Sequence, residues 1–72
     1  MVQLKVEKLL ELKGKTKYWL WKKPELDGMS YQNLNAIINN STKKISFDTL
    51  DKLSKALEVP VGELFEQIDD DI

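Results

Sequence analysis

Residues 45–66 read ISFDTLDKLSKALEVPVGELFE, and this stretch decides more of the fold than any other. Ser46 is a residue type that caps helix N-termini, and the apolar residues after it recur at the spacing of an amphipathic helix. The inward-facing residues of this fourth predicted helix are Phe47, Leu50, Leu53 and Leu57. The helix is therefore expected to cover one side of a small core.

The same stretch predicts a fifth helix directly after the fourth. Pro60 stands at the first-turn position that proline favours, and helical spacing resumes after it. The apolar face of this fifth helix is Val61, Leu64, Phe65 and Ile68. We expect residues 1–68 to form the domain and residues 69–72 to be an acidic tail that frays.

Toward the N-terminus, residues 29–40 read MSYQNLNAIINN and predict a third helix. Ser30 is its cap, and the helix is expected to run through Asn39. Its buried stripe is Leu34, Ile37 and Ile38. The loop Asn40–Ile45 then leads into the fourth helix.

The N-terminal third of the chain predicts two shorter helices. The first covers Val6–Lys13, and Gly14 ends it in a left-handed cap. The second, Lys17–Lys23, is capped by Thr16 and stops before Pro24–Gly28, which has the composition of a turn. A short extended segment precedes both, predicted by the alternating apolar residues Val2, Leu4 and Val6. The expected fold is a compact all-α domain of five helices.

The composition excludes several classes of protein. The 72 residues allow one small domain, and no apolar run is long enough to span a membrane. The first residues, MVQLKVEK, do not form a signal peptide, so we expect a cytoplasmic protein. The chain has no cysteine and no histidine, which removes thiolate metal sites and the commonest general base. The only clustered carboxylates are Asp69, Asp70 and Asp71. Because they are consecutive, they cannot converge on one metal ion from separate rigid elements. We therefore expect no enzymatic activity, no metal and no cofactor.

Charge is distributed unevenly along the chain. Residues 1–57 hold all eleven lysines and six acidic residues, which leaves +5, whereas residues 58–72 hold six acidic residues and no lysine. Two stretches have no acidic residue at all, Leu12–Pro24 with five lysines and Gly28–Phe47 with two. Such gaps favour a surface kept clear for a polyanion, although a solvated lysine-rich face is an equal alternative on charge alone.

The third predicted helix carries uncharged amides on its exposed side. A rotation of about 100° per residue from Leu34 defines the face opposite the core. That face holds Gln32, Asn35, Ala36 and Asn39, with Asn33 and Asn40 on one flank. Asparagine is a poor helix former, but asparagine and glutamine offer a donor and an acceptor together to adenine in the major groove. Ala36 permits close approach and contact with a thymine methyl group. We favour a helix that reads bases over a merely polar helix.

Groups suited to phosphate flank this helix in the sequence. Lys17 lies in the first turn of the second helix, beside free backbone amides at the positive end of the helix dipole. Lys43 and Lys44 precede the start of the fourth helix near Ser46 and form a second candidate phosphate clamp. Phosphate contacts set register and base contacts set sequence preference, and the lysine and amide positions match that division.

Three segments together resemble the XRE family of phage Cro-like and repressor-like helix-turn-helix regulators. They are KTKYWL at 15–20, MSYQNLNAIINN at 29–40 and the stretch 45–66, so the resemblance covers nearly the whole chain. It implies a helix-turn-helix fold and binding to double-stranded DNA. By position, it implies base contacts from Tyr31, Gln32 and Ala36, and contacts with either bases or backbone from Asn33 and Asn35. It implies phosphate contacts from Thr16, Lys17, Ser30, Lys43, Lys44 and Ser46.

Two features depart from the family pattern. Trp21 stands where the family has a small residue, and the link between the second and third helices is longer than the common form. Either change alters the angle at which the third helix meets the groove. We expect Trp21 to fill the space that the longer link creates, in preference to stacking on a base. Of the neighbouring residues Tyr18 and Trp19, one is a candidate for an exposed surface that contacts a partner.

The predicted function is sequence-specific binding of duplex DNA by a homodimer that represses transcription, with a preference for A·T-containing half-sites. The dimer contact is expected from the fifth helix (Phe65, Ile68) or from Val2–Val6. A protein-interaction role, as in an antitoxin that also binds a toxin, is the first alternative. A helical adaptor that has lost DNA binding is the second.

Overall fold

A computed structural model describes residues 1–69 and shows how the predicted elements are arranged. These residues form four α-helices, two 3₁₀ helices and a two-stranded sheet. The α-helices are α1 (Val6–Lys13), α2 (Lys17–Trp21), α3 (Tyr31–Ile38) and α4 (Phe47–Leu57). The 3₁₀ helices are Pro24–Leu26 and Val61–Leu64, and the strands are β1 (Val2–Leu4) and β2 (Phe65–Gln67). None of the helices within residues 1–69 has the length and hydropathy to cross a membrane.

Side-chain caps begin α2, α3 and α4, as the sequence predicts. The hydroxyl groups of Thr16, Ser30 and Ser46 accept hydrogen bonds from the backbone amides three residues later, at 3.1, 3.0 and 3.1 Å. Each cap satisfies an amide that would otherwise lack a helical partner. Helix α1 ends at Gly14, whose φ of 66° is the left-handed conformation expected there. Three helix starts and one helix end are thus determined by single residues.

The prediction of a fifth helix, and with it an all-α fold, is wrong. The segment after Pro60 makes one 3₁₀ turn and then becomes β2, which pairs antiparallel with β1. Val2 lies opposite Gln67, and Leu4 lies opposite Phe65. The segment Val2–Leu4, predicted as extended, offers β2 backbone partners from a distant part of the chain, and these replace the hydrogen bonds of further helical turns. The tail prediction for residues 70–72 lies outside the described residues.

The outer side of the sheet is polar. The Gln3 amide donates to Glu66 Oε2 at 2.9 Å, and Lys8 Nζ lies 2.6 Å from Glu66 Oε1. These hydrogen bonds, that from Lys8 foremost, lower the pKa of Glu66 below its ordinary value. A carboxyl group with a lowered pKa favours the folded state above its unfolded pKa, and this contribution is lost as the pH falls through the folded pKa.

Within the described part of the chain, the core is built from apolar side chains alone. Among residues 1–69 the buried side chains are Leu4, Val6, Leu9, Leu10, Leu20, Leu26, Leu34, Ile37, Ile38, Leu50, Leu53, Ala56, Leu57 and Leu64. All four α-helices contribute to this core, as do β1 through Leu4 and the second 3₁₀ helix through Leu64. Leu26 is unexpected because it lies in the segment predicted as a turn, yet it is only 1% exposed.

Phe47 and Val61 do not face the core, contrary to the sequence prediction. Phe47 is 89% exposed and Val61 is 41% exposed. Phe47 is the first residue of α4, and Ile45, on the other side of the Ser46 cap, packs against the core instead. That arrangement is the one that a hydrophobic staple gives at a helix start. The buried stripe of α4 therefore begins one turn later than the sequence predicts, at Leu50.

We expect Phe47→Ala to change the free energy of unfolding by no more than about 0.5 kcal/mol, since it removes an exposed side chain. Leu50→Ala, one turn later in the same helix, should cost about 2–5 kcal/mol because it opens a cavity in the core. Urea unfolding followed by circular dichroism measures both changes. A large loss for Phe47→Ala would contradict its exposed position.

Candidate nucleic-acid interface

The first turn of α3 presents three exposed side chains at its N-terminal end. Gln32 and Asn33 are exposed, and within residues 1–69 neither side chain has a hydrogen-bond partner. Tyr31 is 41% exposed, and Ala36 is half-buried one turn further along. Free amide groups on an exposed helix face can donate and accept in the plane of a base edge. Four of the residues predicted to contact bases thus lie within the first six residues of α3.

Asn35 lies beside the start of α2. Lys17 Nζ donates to Asn35 Oδ1 at 3.3 Å, and both side chains are half-buried. With its oxygen engaged by Lys17, the Asn35 amide keeps its NH₂ group as a donor. A residue predicted to bind phosphate and a residue predicted to contact a base are therefore adjacent.

Asn40 has a different role from the flanking position on the amide face that the sequence predicts. Its backbone is left-handed, with φ of 58°, and it follows the C-terminal end of α3. Its side chain accepts from the Leu4 amide at 2.8 Å and donates to the Leu4 carbonyl at 3.0 Å. The Asn40 amide thus binds the outer edge of β1 as a neighbouring strand would. The available signal was that asparagine tolerates the left-handed position after a helix.

We expect Asn40→Gly to lower the free energy of unfolding by about 1–3 kcal/mol, because two hydrogen bonds to Leu4 are lost. Glycine accepts the left-handed backbone, so the change isolates the side-chain amide. Thermal unfolding of Asn40→Gly and of Asn39→Gly measures the effect. Asn39 has no side-chain hydrogen bond within residues 1–69, and an equal loss in both variants would contradict the proposed bond to Leu4.

The loop before α4 holds the second group of predicted phosphate contacts. Lys43 and Lys44 are exposed, and the Ser46 hydroxyl lies 2.9 Å from Thr49 Oγ1 in addition to capping the helix. Thr16 and Ser30 are likewise exposed at the starts of α2 and α3. All six predicted phosphate contacts therefore lie at helix starts or in the loop before one.

Lysine residues fall into two groups by their ion pairs. Within residues 1–69 four lysines have carboxylate partners: Lys5 with Glu63 at 3.6 Å, Lys8 with Glu66 at 2.6 Å, Lys52 with Asp48 at 3.2 Å and Lys55 with Asp51 at 2.9 Å. The other seven have none, and they are Lys13, Lys15, Lys17, Lys22, Lys23, Lys43 and Lys44. These seven are the lysines of the two stretches without acidic residues. Because none of the seven pairs with a carboxylate of residues 1–69, their charge favours the binding of a polyanion.

The longer link between α2 and α3 is held by Trp21. The indole N–H donates to the Met29 carbonyl at 2.9 Å, and the ring is half-buried against the core. This packing agrees with the preferred interpretation of Trp21. Of the other two aromatic residues of α2, Tyr18 is 57% exposed and Trp19 is half-buried, so Tyr18 is the candidate for a partner surface.

Comparison with known proteins adds one positive finding. The sequence model of the Cro/C1-type HTH (helix-turn-helix) DNA-binding domain matches residues 5–70, which include all four α-helices and β2. No curated protein and no solved structure matches the chain significantly.

Proposed function

Since the chain belongs to the Cro/C1-type helix-turn-helix DNA-binding family, we propose that it is a sequence-specific repressor of transcription. The observation that carries this proposal is the sorting of the lysines. The seven that have no carboxylate partner within residues 1–69 all come from the segments around α2 and α3. The proposed role requires no catalytic residue, metal or cofactor, and we place the protein in the cytoplasm.

In the proposed complex, α3 enters the major groove with its N-terminal end toward the bases. Gln32 and Asn33 have free amides, and Asn35 keeps a free NH₂ group, so these three side chains hydrogen-bond to base edges. Tyr31 and Ala36 make the accompanying apolar contacts. Amide side chains pair best with adenine, whereas arginine, which pairs best with guanine, does not occur in the sequence. We therefore expect a preference for A·T-containing half-sites.

Phosphate contacts hold the domain on the duplex on both sides of α3. Thr16, Lys17 and Ser30 form one group, and Lys43, Lys44 and Ser46 form the other. Each lysine that neutralises a phosphate releases counterions, so affinity falls as salt rises.

The lysines of the second group provide a direct test. We expect the double variant Lys43→Gln with Lys44→Gln to bind every duplex more weakly and to reduce the slope of log K against log salt by about 2. The matched control replaces Lys52 and Lys55, which lie on α4 and are paired with Asp48 and Asp51. Fluorescence anisotropy at several salt concentrations measures both slopes, and equal slopes for the two double variants would rule out the proposed clamp.

A homodimer is proposed because paired half-sites multiply the affinity of a small domain. The two candidate dimer surfaces, Phe65 with Ile68 and the segment from Val2, belong to one sheet and its immediate continuation. Val2 is 64% exposed on that sheet. Sedimentation analysis of the wild type and of Val2→Lys tests this surface, and a wild-type monomer at all concentrations would count against it.

The function itself is tested by selection from a pool of random duplex DNA, carried out at two salt concentrations. A palindromic motif, bound with an affinity that falls steeply with salt, is the expected result. Weak binding without a motif would overturn the repressor proposal. It would favour the protein-interaction alternative, to which the exposed apolar side chains of Leu12 and Phe47 (84% and 89%) are suited.

A further inference from the structure

We infer that Trp21 is a positioning residue for sequence recognition, acting through Tyr31 at the start of α3. This inference rests on the proposed function and assigns a purpose to the residue by which the chain departs from its family pattern. Trp21 lies at the end of α2, and Tyr31 is the first residue of α3.

Trp21 contacts the backbone that leads into α3. The Trp21 indole N–H donates to the carbonyl of Met29, the residue before the Ser30 cap. Gly28, one residue earlier, has φ of 90°, which glycine tolerates and other residues avoid. A side-chain hydrogen bond directly after this turn restricts the entry of the chain into α3. Trp21 therefore restrains the backbone two residues before Tyr31.

Trp21 also contacts the Tyr31 ring. Trp21 and Tyr31 meet edge to face, with centroids 5.3 Å apart and planes at 84°. The Trp21 ring is itself contacted by Lys22, whose Nζ lies 4.8 Å from the ring centroid, and by Tyr18, whose centroid is 5.8 Å away. Edge-to-face pairs and cation–π contacts both restrict ring orientation. Tyr31 is therefore held on one side while 41% of its surface stays open.

A restrained Tyr31 matters because the N-terminal residues of a recognition helix contact base edges. Immobilising a free side chain on binding carries an entropic penalty that a ring already held by Trp21 largely avoids. Because Trp21 holds the Tyr31 ring in one orientation, the ring presents the same edge to whichever base pair it meets. A base pair that does not fit this edge is bound more weakly. Trp21 thus acts on the ratio of specific to non-specific affinity, whereas the lysines act on both affinities together.

The test is a double-mutant cycle on the selected DNA motif, with Trp21→Leu, Tyr31→Ala and the double variant. The quantity measured is the specificity ratio, the dissociation constant for a scrambled duplex divided by that for the selected duplex. With Tyr31 present, Trp21→Leu is expected to reduce this ratio roughly three- to tenfold. With Tyr31→Ala, the same change should alter the ratio less than about twofold, because coupled residues are non-additive. An equal loss in both backgrounds would mean a merely structural role and overturn the inference.

Two further variants serve as controls. Trp19→Leu changes another half-buried tryptophan of α2 that has no ring contact with Tyr31, and the ratio should be unchanged. Trp21→Phe keeps an aromatic ring beside Tyr31 and should retain more of the ratio than Trp21→Leu. It also provides a folded variant if leucine disrupts the domain. A ratio for Trp21→Phe as low as that for Trp21→Leu would contradict the role of the ring contact.

A readout without DNA separates this inference from the proposed function. In the free protein, the NMR shifts of the Tyr31 ring protons should carry the ring current of Trp21 and move toward random-coil values in Trp21→Leu. Unchanged shifts would disprove the contact even if the wild type binds its motif. A wild type without any preferred duplex would instead overturn the proposed function, and the recognition role of Trp21 with it.

Discussion

Leu26→Ala is expected to lower the free energy of unfolding by about 2–5 kcal/mol, as much as a substitution in the centre of a helix. Leu26 is 1% exposed, and its short 3₁₀ helix, Pro24–Leu26, packs against α4. Removing the side chain leaves a cavity between the link and the long helix. A 72-residue domain has little stability in reserve, so this change should leave a measurable unfolded fraction at moderate temperature.

The matched control for this prediction is Leu12→Ala. It is the same chemical change on α1, at a side chain that is 84% exposed, and it should cost less than about 0.5 kcal/mol. Urea titration of both variants, monitored by circular dichroism, gives the two free energies. Similar small losses would mean that the link between α2 and α3 is not anchored in the core.

Gln32→Ala is expected to weaken binding to the selected DNA motif by about 5- to 150-fold, which corresponds to about 1–3 kcal/mol for one bidentate contact with a base. The Gln32 amide has no partner within residues 1–69, so the protein loses no internal hydrogen bond. Stability should therefore be nearly unchanged. The variant should lose its base preference at one position of the motif and keep it at the others. Its affinity for scrambled duplex should equal that of the wild type.

Gln67→Ala is the control for Gln32→Ala, because it removes the same exposed side chain from β2 instead of α3. Anisotropy titrations with the motif and with single-base variants of it measure the contact position. Equal affinities of wild type and Gln32→Ala for the motif would remove Gln32 from the proposed recognition surface.

Local signals predicted most of the helical framework. Thr16, Ser30 and Ser46 cap helices with their own hydroxyl groups, and Gly14 ends one through its own φ, so these boundaries are readable from single residues. Helix α2 ends two residues earlier than the sequence predicts and α3 one residue earlier, because the last turn of a short helix frays.

Non-local contacts explain what the sequence could not predict. The partner of β2 is β1, more than sixty residues earlier in the chain, and nothing within residues 60–68 indicates it. Leu26 has turn-forming neighbours, so only the position of α4 reveals that it is buried. In the candidate site, the residue types and their helix were predictable. The division of the amides into free and engaged groups was not, because it depends on Lys17 and Leu4.

The pair of hydrogen bonds between Asn40 and Leu4 has a thermodynamic consequence. They join the end of α3 to a strand 36 residues earlier, so local opening of β1 and fraying of α3 are coupled events. A ligand that orders α3 therefore also stabilises the paired sheet. Conversely, a contact that stabilises the sheet also stabilises an ordered α3, and the coupling free energy is the same in both directions. Amide hydrogen exchange in β1 should therefore slow when a ligand occupies α3, although the two elements lie far apart in the sequence.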